Sequence, residues 1–264
     1  VLLVPGFTGS KEDFIAVLAP IGAAGFPVFA YDQRGQHGTA ALTPDPPPEG
    51  WSMASFAADL LAVAETISAD GVHLLGHSFG GLVARAAVLT DPVRFASLVL
   101  LDSGPASIGP HQDQRLQSMA VGVDSLGLEA VWAIMQSLDL EAGVVPPRDP
   151  RVAAFLERRF LAHDPAALAA MARLLATEPD RTDELAGVAP LTGRTLVAFG
   201  EADDSWSPQI QRETASRLRA DTVSFPEAAH SPAAEAPEPT ATALVTFWRR
   251  SEGAGQPPMA EEDL

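Results

Sequence analysis

Residues 71–83 read Gly-Val-His-Leu-Leu-Gly-His-Ser-Phe-Gly-Gly-Leu-Val, an apolar strand pattern that passes through a serine into an apolar helix pattern. A chain that turns this sharply from strand to helix holds its serine in a strained backbone conformation. The two elements can then approach only if the residues two before and two after the serine are small. Gly76 and Gly80 fill those positions around Ser78, with Gly81 as a further small residue. The helix that starts after Ser78 aims unpaired N–H groups and the positive end of its dipole at the space above the serine, where a negative oxygen forms in acyl transfer. The bland alternative is a strand-to-helix turn with a surface serine. A Gly-x-Ser-x-Gly match alone is weak, and its strand and helix context is what makes Ser78 a candidate nucleophile.

Around this turn the chain alternates short apolar runs with longer amphipathic ones, which predicts a mostly parallel, doubly wound α/β sheet covered by helices on both faces. Strands are expected at residues 1–4, 27–31, 72–75, 97–101, 195–199 and 222–225. Helices are expected at 11–24, 55–68, 79–89, 208–218 and 232–250, with an irregular Pro-rich segment at 43–50. Between residues 104 and 191 the alternation stops, and helical patterns at 126–138, 152–161 and 165–177 follow one another with no strand between them. The expected organisation is a core domain in two parts, residues 1–104 and 192–250, a helical cap inserted at 105–191, and a disordered acidic tail at 251–264.

Composition narrows the function. Apolar residues make up 47% of the 264-residue chain, ample for a core, and the formal net charge is −17 with Lys11 the only lysine. So acidic a surface repels phosphate backbones and anionic lipid, which argues against nucleic-acid and membrane-surface partners. The absence of cysteine excludes disulfides and thiolate metal sites. The chain opens on Val1-Leu2-Leu3-Val4, a core-strand pattern without an initiator methionine, so an amino-terminal segment is expected to be missing. A cytoplasmic location is the working expectation.

The serine turn, followed in order by a candidate acid and a candidate histidine, makes the chain resemble the α/β-hydrolase family over residues 1–250. A serine hydroxyl needs a base, and the base needs a third group that fixes its tautomer. The resemblance implies that the base is His230, in the loop Pro226-Glu227-Ala228-Ala229-His230-Ser231-Pro232 between the last strand and the last helix. It also implies an acid in Gly200-Glu201-Ala202-Asp203-Asp204-Ser205-Trp206-Ser207-Pro208. The family's spacing from the glycine selects Asp203, and its spacing to the proline selects Asp204. Asp203 is preferred, and Asp204 stays open. Asp102, where some members carry the acid, reads as a turn residue capping backbone N–H groups.

By the same resemblance the oxyanion hole comes from the backbone N–H groups of Phe79 and Phe7, the latter in Pro5-Gly6-Phe7-Thr8-Gly9-Ser10, where proline replaces the family's usual histidine. Asp32 and Arg34, in Tyr31-Asp32-Gln33-Arg34-Gly35, resemble a family loop segment and are expected to form a structural ion pair or a loop brace. Of the other histidines, His73 reads as a hydrogen-bonded core residue and His77 as turned away from the serine's partner. His37, His111 and His163 read as solvated, and no pair has zinc spacing. Neither a metal nor a cofactor is expected.

The implied function is a serine hydrolase that cleaves a carboxylic ester, lactone or thioester through an acyl-enzyme, acting on a small apolar ester-like substrate. Met119, Trp132, Met135 and Leu138, with Phe7, Phe79 and Trp206, are candidate pocket residues, although helical spacing alone explains Trp132, Met135 and Leu138 as packing. The same residues would serve an acyltransferase, a C–C bond hydrolase or a cofactor-free perhydrolase. A small-molecule receptor of the same fold is the reading from outside enzymology.

Overall fold

Six runs become strands, the four central ones apolar and buried on both faces and the two edge ones partly exposed: β1 (Leu2–Val4), β2 (Phe29–Ala30), β3 (Val72–His77), β4 (Phe95–Leu101), β5 (Thr195–Gly200) and β6 (Asp221–Phe225). The computed structural model, which describes residues 1–42, 45–141, 143, 147 and 149–253, joins them in one sheet of order β2-β1-β3-β4-β5-β6 with every pairing parallel. Side chains alternate across it as the two-residue period requires. Leu2, Val4, Leu74, Leu98, Leu100, Val197 and Phe199 enter the core on one face. Leu3, Leu75, Val99, Leu101, Leu196 and Ala198 enter the core on the other.

Helices cover both faces. In chain order α1 (Ile15–Ala23) follows β1, and α2 (His37–Ala40) and α3 (Met53–Ile67) follow β2. Helix α4 (Phe79–Thr90) connects β3 to β4. Between β4 and β5 run α5 (Pro110–Leu126), α6 (Leu128–Glu141), α7 (Pro150–Leu161), α8 (Pro165–Thr177) and α9 (Thr182–Ala186), with no strand among the described residues. Helix α10 (Pro208–Leu218) joins β5 to β6, and α11 (Pro232–Glu235) and α12 (Pro237–Gly253) close the chain. Phe56 and Leu60 of α3, Leu82 and Val83 of α4 and Ala215 of α10 pack on one face. Val17 and Ile21 of α1 and Leu244 and Trp248 of α12 pack on the other. Each large apolar side chain so buried contributes about 1.5–3 kcal/mol.

The structure departs from the sequence expectation at helix ends. Gly127, at φ 83°, separates α5 from α6, so residues 126–138 are not one helix, and α5 itself escaped the pattern. Pro237, which lacks an N–H, divides the closing helix in two. Helix α12 continues through Gly253 with Ser251 buried, three residues into the expected tail, whose remainder at 254–264 lies outside the described residues. Part of the Pro-rich segment, residues 43 and 44, does so too.

One guanidinium ties both the start of the insertion and the end of α8 to the core. Arg85 of α4, only 2% exposed, donates to the carbonyl of Pro105 at the start of the insertion. It also donates to Glu178 Oε1 at 2.8 Å and to the Pro179 carbonyl at 3.2 Å, just after α8.

Candidate active site

In a parallel sheet every strand delivers its carboxyl end to the same edge, and ligands gather where the strand order switches direction. Here the switch lies between β1 and β3. The residue after β3 is Ser78, and the residues after β1 are Pro5, Gly6 and Phe7. Ser78 caps α4 at φ 53° and ψ −122°, the left-handed half of the map that a serine occupies only when its surroundings force it. They do so by crowding. A Cβ on Gly76 would collide with the backbone of Gly80 and Gly81, and one on Gly80 with the carbonyls of Val4 and Pro5. With both glycines bare, the loop after β1 passes so close that a Cβ on Gly6 would sit 3.0 Å from that of Ser78.

Three distant segments meet at the serine. Ser78 Oγ–H donates to His230 Nε2 at 2.9 Å, and His230 Nδ1–H donates to Asp203 Oδ1 at 2.8 Å, the tautomer that this network requires. Ser78 is 5% exposed, the Asp203 side chain is fully buried, and the imidazole of His230 keeps 27% of its surface. Asp203 also accepts from the Ser205 N–H at 2.9 Å and from Gln211 Nε2 at 2.7 Å. Asp204 is exposed and faces a cavity between α5 and α6. Asp102, wholly buried at φ 45°, accepts the Gly200 N–H at 2.9 Å through Oδ1; the N–H it caps belongs to the end of β5 and not to the insertion.

His77 has a role that its sequence position conceals. Its ring does not bond the imidazole of His230, but its Nε2–H donates to the His230 carbonyl at 2.6 Å and so fixes the loop that carries it. Burial, and then the neighbouring His230, push the pKa of His77 down to about 4, so it makes this bond as a neutral ring. His73 bonds Ser97 Oγ at 2.8 Å inside the core. His163 is not solvated: it is buried with Nδ1–H donating to the Arg159 carbonyl at 2.8 Å, and burial lowers its pKa. His37 is half-buried, edge-on to Phe155, and the His111 side chain lies outside what is described.

Two glutamines that sequence reading passed over hold the loop after β1. Gln33 Nε2 donates to the Pro5 carbonyl and Gln36 Nε2 to the Gly6 carbonyl, both at 2.8 Å, while Gln36 Oε1 accepts the Gln33 N–H at 3.0 Å. Both side chains are buried. Because a trans peptide sets its C=O and N–H in opposite directions, a donor fixed on Gly6 O sets the direction of the Phe7 N–H. Asp32 and Arg34 do not pair with each other. Asp32 binds Lys11 Nζ at 2.7 Å and the N–H groups of Lys11 and Gly38, and Arg34 makes a bidentate pair with Asp59 at 2.6 and 2.7 Å. They brace two separate loops.

Two cavities flank α6. One, of about 510 Å³, is walled by Trp132, Met135, Leu156, Arg159 and Phe160 and reaches Thr8, next to Phe7. The other, of about 570 Å³, is walled by Met119, Val131, Met135 and Leu138 and reaches Asp204 and Ser205. Met135 stands between them. The other candidate pocket residues sit elsewhere. Phe79 is fully buried edge-on to Phe56, Phe7 is half-buried between the core and the insertion, and Trp206 lies against Gly104 with its indole N–H donating to the Ala106 carbonyl at 3.2 Å.

Similarity to known proteins points the same way. A protein of Variovorax paradoxus, provisionally named the carbamate hydrolase RutD, is 29% identical over 260 residues, 97% of this chain and 94% of its own. A thermophilic esterase from Thermogutta terrifontis superposes with a TM-score of 0.77 at 25% identity, covering 95% of this chain and 89% of that one. The enol-lactonase of Burkholderia xenovorans LB400 shares the fold, with a TM-score of 0.75 at 21% identity over 94% of this chain and 91% of its own. No described helix is long and apolar enough to cross a membrane. With a family model matching residues 1–243 and an all-parallel sheet carrying a serine on its sharpest turn, this chain belongs to the alpha/beta hydrolase family and is an enzyme of that type.

Proposed function

We propose that the chain is a serine hydrolase acting on a carboxylic ester, lactone or thioester, with Ser78 as nucleophile, His230 as base and Asp203 as the acid behind it. The observation that carries this reading is the unbroken chain Ser78 Oγ–H to His230 Nε2, then His230 Nδ1–H to Asp203 Oδ1, at 2.9 and 2.8 Å on the carboxyl edge of the sheet. His230 takes the hydroxyl proton as Ser78 Oγ attacks the acyl carbon, and the carbonyl π electrons move onto oxygen. The N–H groups of Phe79, at the unpaired first turn of α4, and of Phe7, in the glutamine-braced loop, are the donors for that oxyanion. His230 then protonates the departing alcohol, lactone or thiol oxygen or sulfur, and the acyl-enzyme forms. Water, deprotonated by the same imidazole, attacks the acyl carbon, and Ser78 leaves with the proton. The chemistry needs no metal or cofactor.

The cavities beside α6, which flank the loops of Phe7 and of the acid, support this substrate class. Their walls are mostly apolar, one reaches the loop of Phe7 and the other the loop of the acid, which suits a small ester with an apolar group on each side of its carbonyl. The esterase and enol-lactonase named above act on such bonds by their names, and a carbamate presents the same acyl carbon to a nucleophile. The test is turnover of p-nitrophenyl esters from acetate to decanoate, run beside covalent labelling by an organophosphonate. Wild-type protein is expected to turn over the series with a chain-length optimum, and Ser78→Ala to lose both the label and nearly all turnover. Wild-type rates in Ser78→Ala would remove Ser78 from the mechanism, and serine-dependent labelling without turnover would move the assignment to an acyltransferase.

A further inference from the structure

Behind the candidate acid lies a second carboxyl group that the mechanism above leaves unused. Ligand atoms of Asp102, Asp203 and His230 all lie within 4.8 Å of one another, although Asp102 leaves β4 and Asp203 follows β5, 101 positions later. Asp102 is completely buried, with none of its surface open to bulk solvent that would screen a charge. Donors are divided unequally between the two acids. Asp203 receives the His230 Nδ1–H, the Ser205 N–H and the Gln211 amide. Asp102 receives the Gly200 N–H on Oδ1, while its Oδ2 is buried with no partner. Two carboxylates this close and this dry do not both ionise, and the charge settles where the donors are.

We propose that Asp102 is a positioning residue that keeps its proton on Oδ2 and donates it as a hydrogen bond to the Asp203 carboxylate, so that the pair carries one negative charge behind His230. The proposal rests on the triad reading above and adds a fourth member to it. Burial, opposed by the Gly200 N–H and reinforced by Asp203 and then Glu235, pushes the pKa of Asp102 up to about 9, in keeping with a neutral acid at physiological pH. The groups that face it are Asp203, His230 and Glu235 of α11, with His77 beyond His230. Glu235, exposed at the end of α11, accepts the Ala229 and Ser231 N–H groups of the histidine loop.

A donor on Asp203 tempers how strongly that carboxylate holds the imidazolium, and therefore where the acid limb of activity falls. The arrangement is open to a direct test, because asparagine mimics a protonated aspartic acid: its oxygen can accept from Gly200 and its amide can donate to Asp203. Infrared difference spectra of wild-type and Asp102→Asn protein at neutral pH are expected to show one protonated-carboxyl C=O band that the substitution removes. In kcat/KM–pH profiles, Asp102→Asn is expected to keep the acid limb where wild-type protein has it. Asp102→Val, which deletes the donor, is expected to move that limb up by as much as about one pH unit. Absence of the carboxyl band, a band that survives in Asp102→Asn, or an acid limb that moves to lower pH in Asp102→Asn would each overturn the proposal, the last because it is the mark of a removed negative charge. The infrared measurement needs no turnover, so it judges Asp102 even if the Ser78 labelling experiment fails.

Discussion

Asp203 and Asp204 share a peptide bond, yet donors converge on both carboxylate oxygens of Asp203 while Asp204 is exposed at the rim of a cavity. In the proposed reaction this difference becomes a rate. Asp203→Asn presents His230 with an amide that favours the wrong tautomer and offers no charge to the imidazolium, so kcat is expected to fall by about 10⁴, or about 5.5 kcal/mol of barrier. Asp204→Asn is expected to stay within about threefold. Steady-state kinetics on the two variants decide between them, and the reverse ranking would transfer the acid to Asp204. The sequence could not separate the neighbours because two spacing rules conflict by one residue. Their surroundings differ through His230 and through Gln211 on α10, contacts that exist only once the segments after β5 and β6 have packed, while the Ser205 N–H is a local contact.

At the scale of the element, the loop after β1 shows how a missing side chain is replaced. With Pro5 where the family usually has histidine, that loop closes on itself through the Gly9 N–H to the Gly6 carbonyl at 3.2 Å, and the Gln33–Gln36 pair braces it from the loop after β2. Gln36→Leu removes the shorter of the two hydrogen bonds on the Gly6 carbonyl, leaving the Gly9 N–H at 3.2 Å, and so loosens the direction of the Phe7 N–H. In the proposed reaction kcat is expected to fall by about tenfold to a hundredfold with KM little changed, because that donor is used most in the transition state. An equal rise in KM would assign Gln36 to substrate binding. The strand-turn-helix around Ser78 was legible because glycine, apolar runs and chain order are local signals. The glutamine brace was not, since two polar loop residues look solvated until β1 and β2 lie side by side. The Asp32–Arg34 pair failed for the converse reason: close in sequence, the two side chains find Lys11 and Asp59 in other segments. Helix α5 was missed because its sequence, Pro-His-Gln-Asp-Gln-Arg at the start, is polar on most sides and its packing against α8 supplies what its pattern lacks.

For the whole molecule, buried titratable groups set how stability follows pH. His73, His77 and His163 have pKa values lowered by burial, so the unfolded chain binds protons that the folded one refuses, and stability is lost as pH falls below about 6.5. Asp102 has the opposite sign. With a folded pKa near 9, above its unfolded value, it stabilises the fold least once the solution is alkaline. Between about pH 6 and 9 the unfolding free energy of wild-type protein is expected to decline relative to Asp102→Asn by about 1.4 kcal/mol per unit, the slope of one proton, in urea titrations at stepped pH. Parallel curves would mean that Asp102 is ionised throughout. The Arg85 clasp has a consequence of a different kind. Because one guanidinium gathers the start of the insertion and the end of α8 against α4, the two ends of the four-helix stretch between Pro105 and Glu178 lie side by side. A stretch whose ends meet at one side chain can differ in length or sequence between them without moving the strands on either side of it.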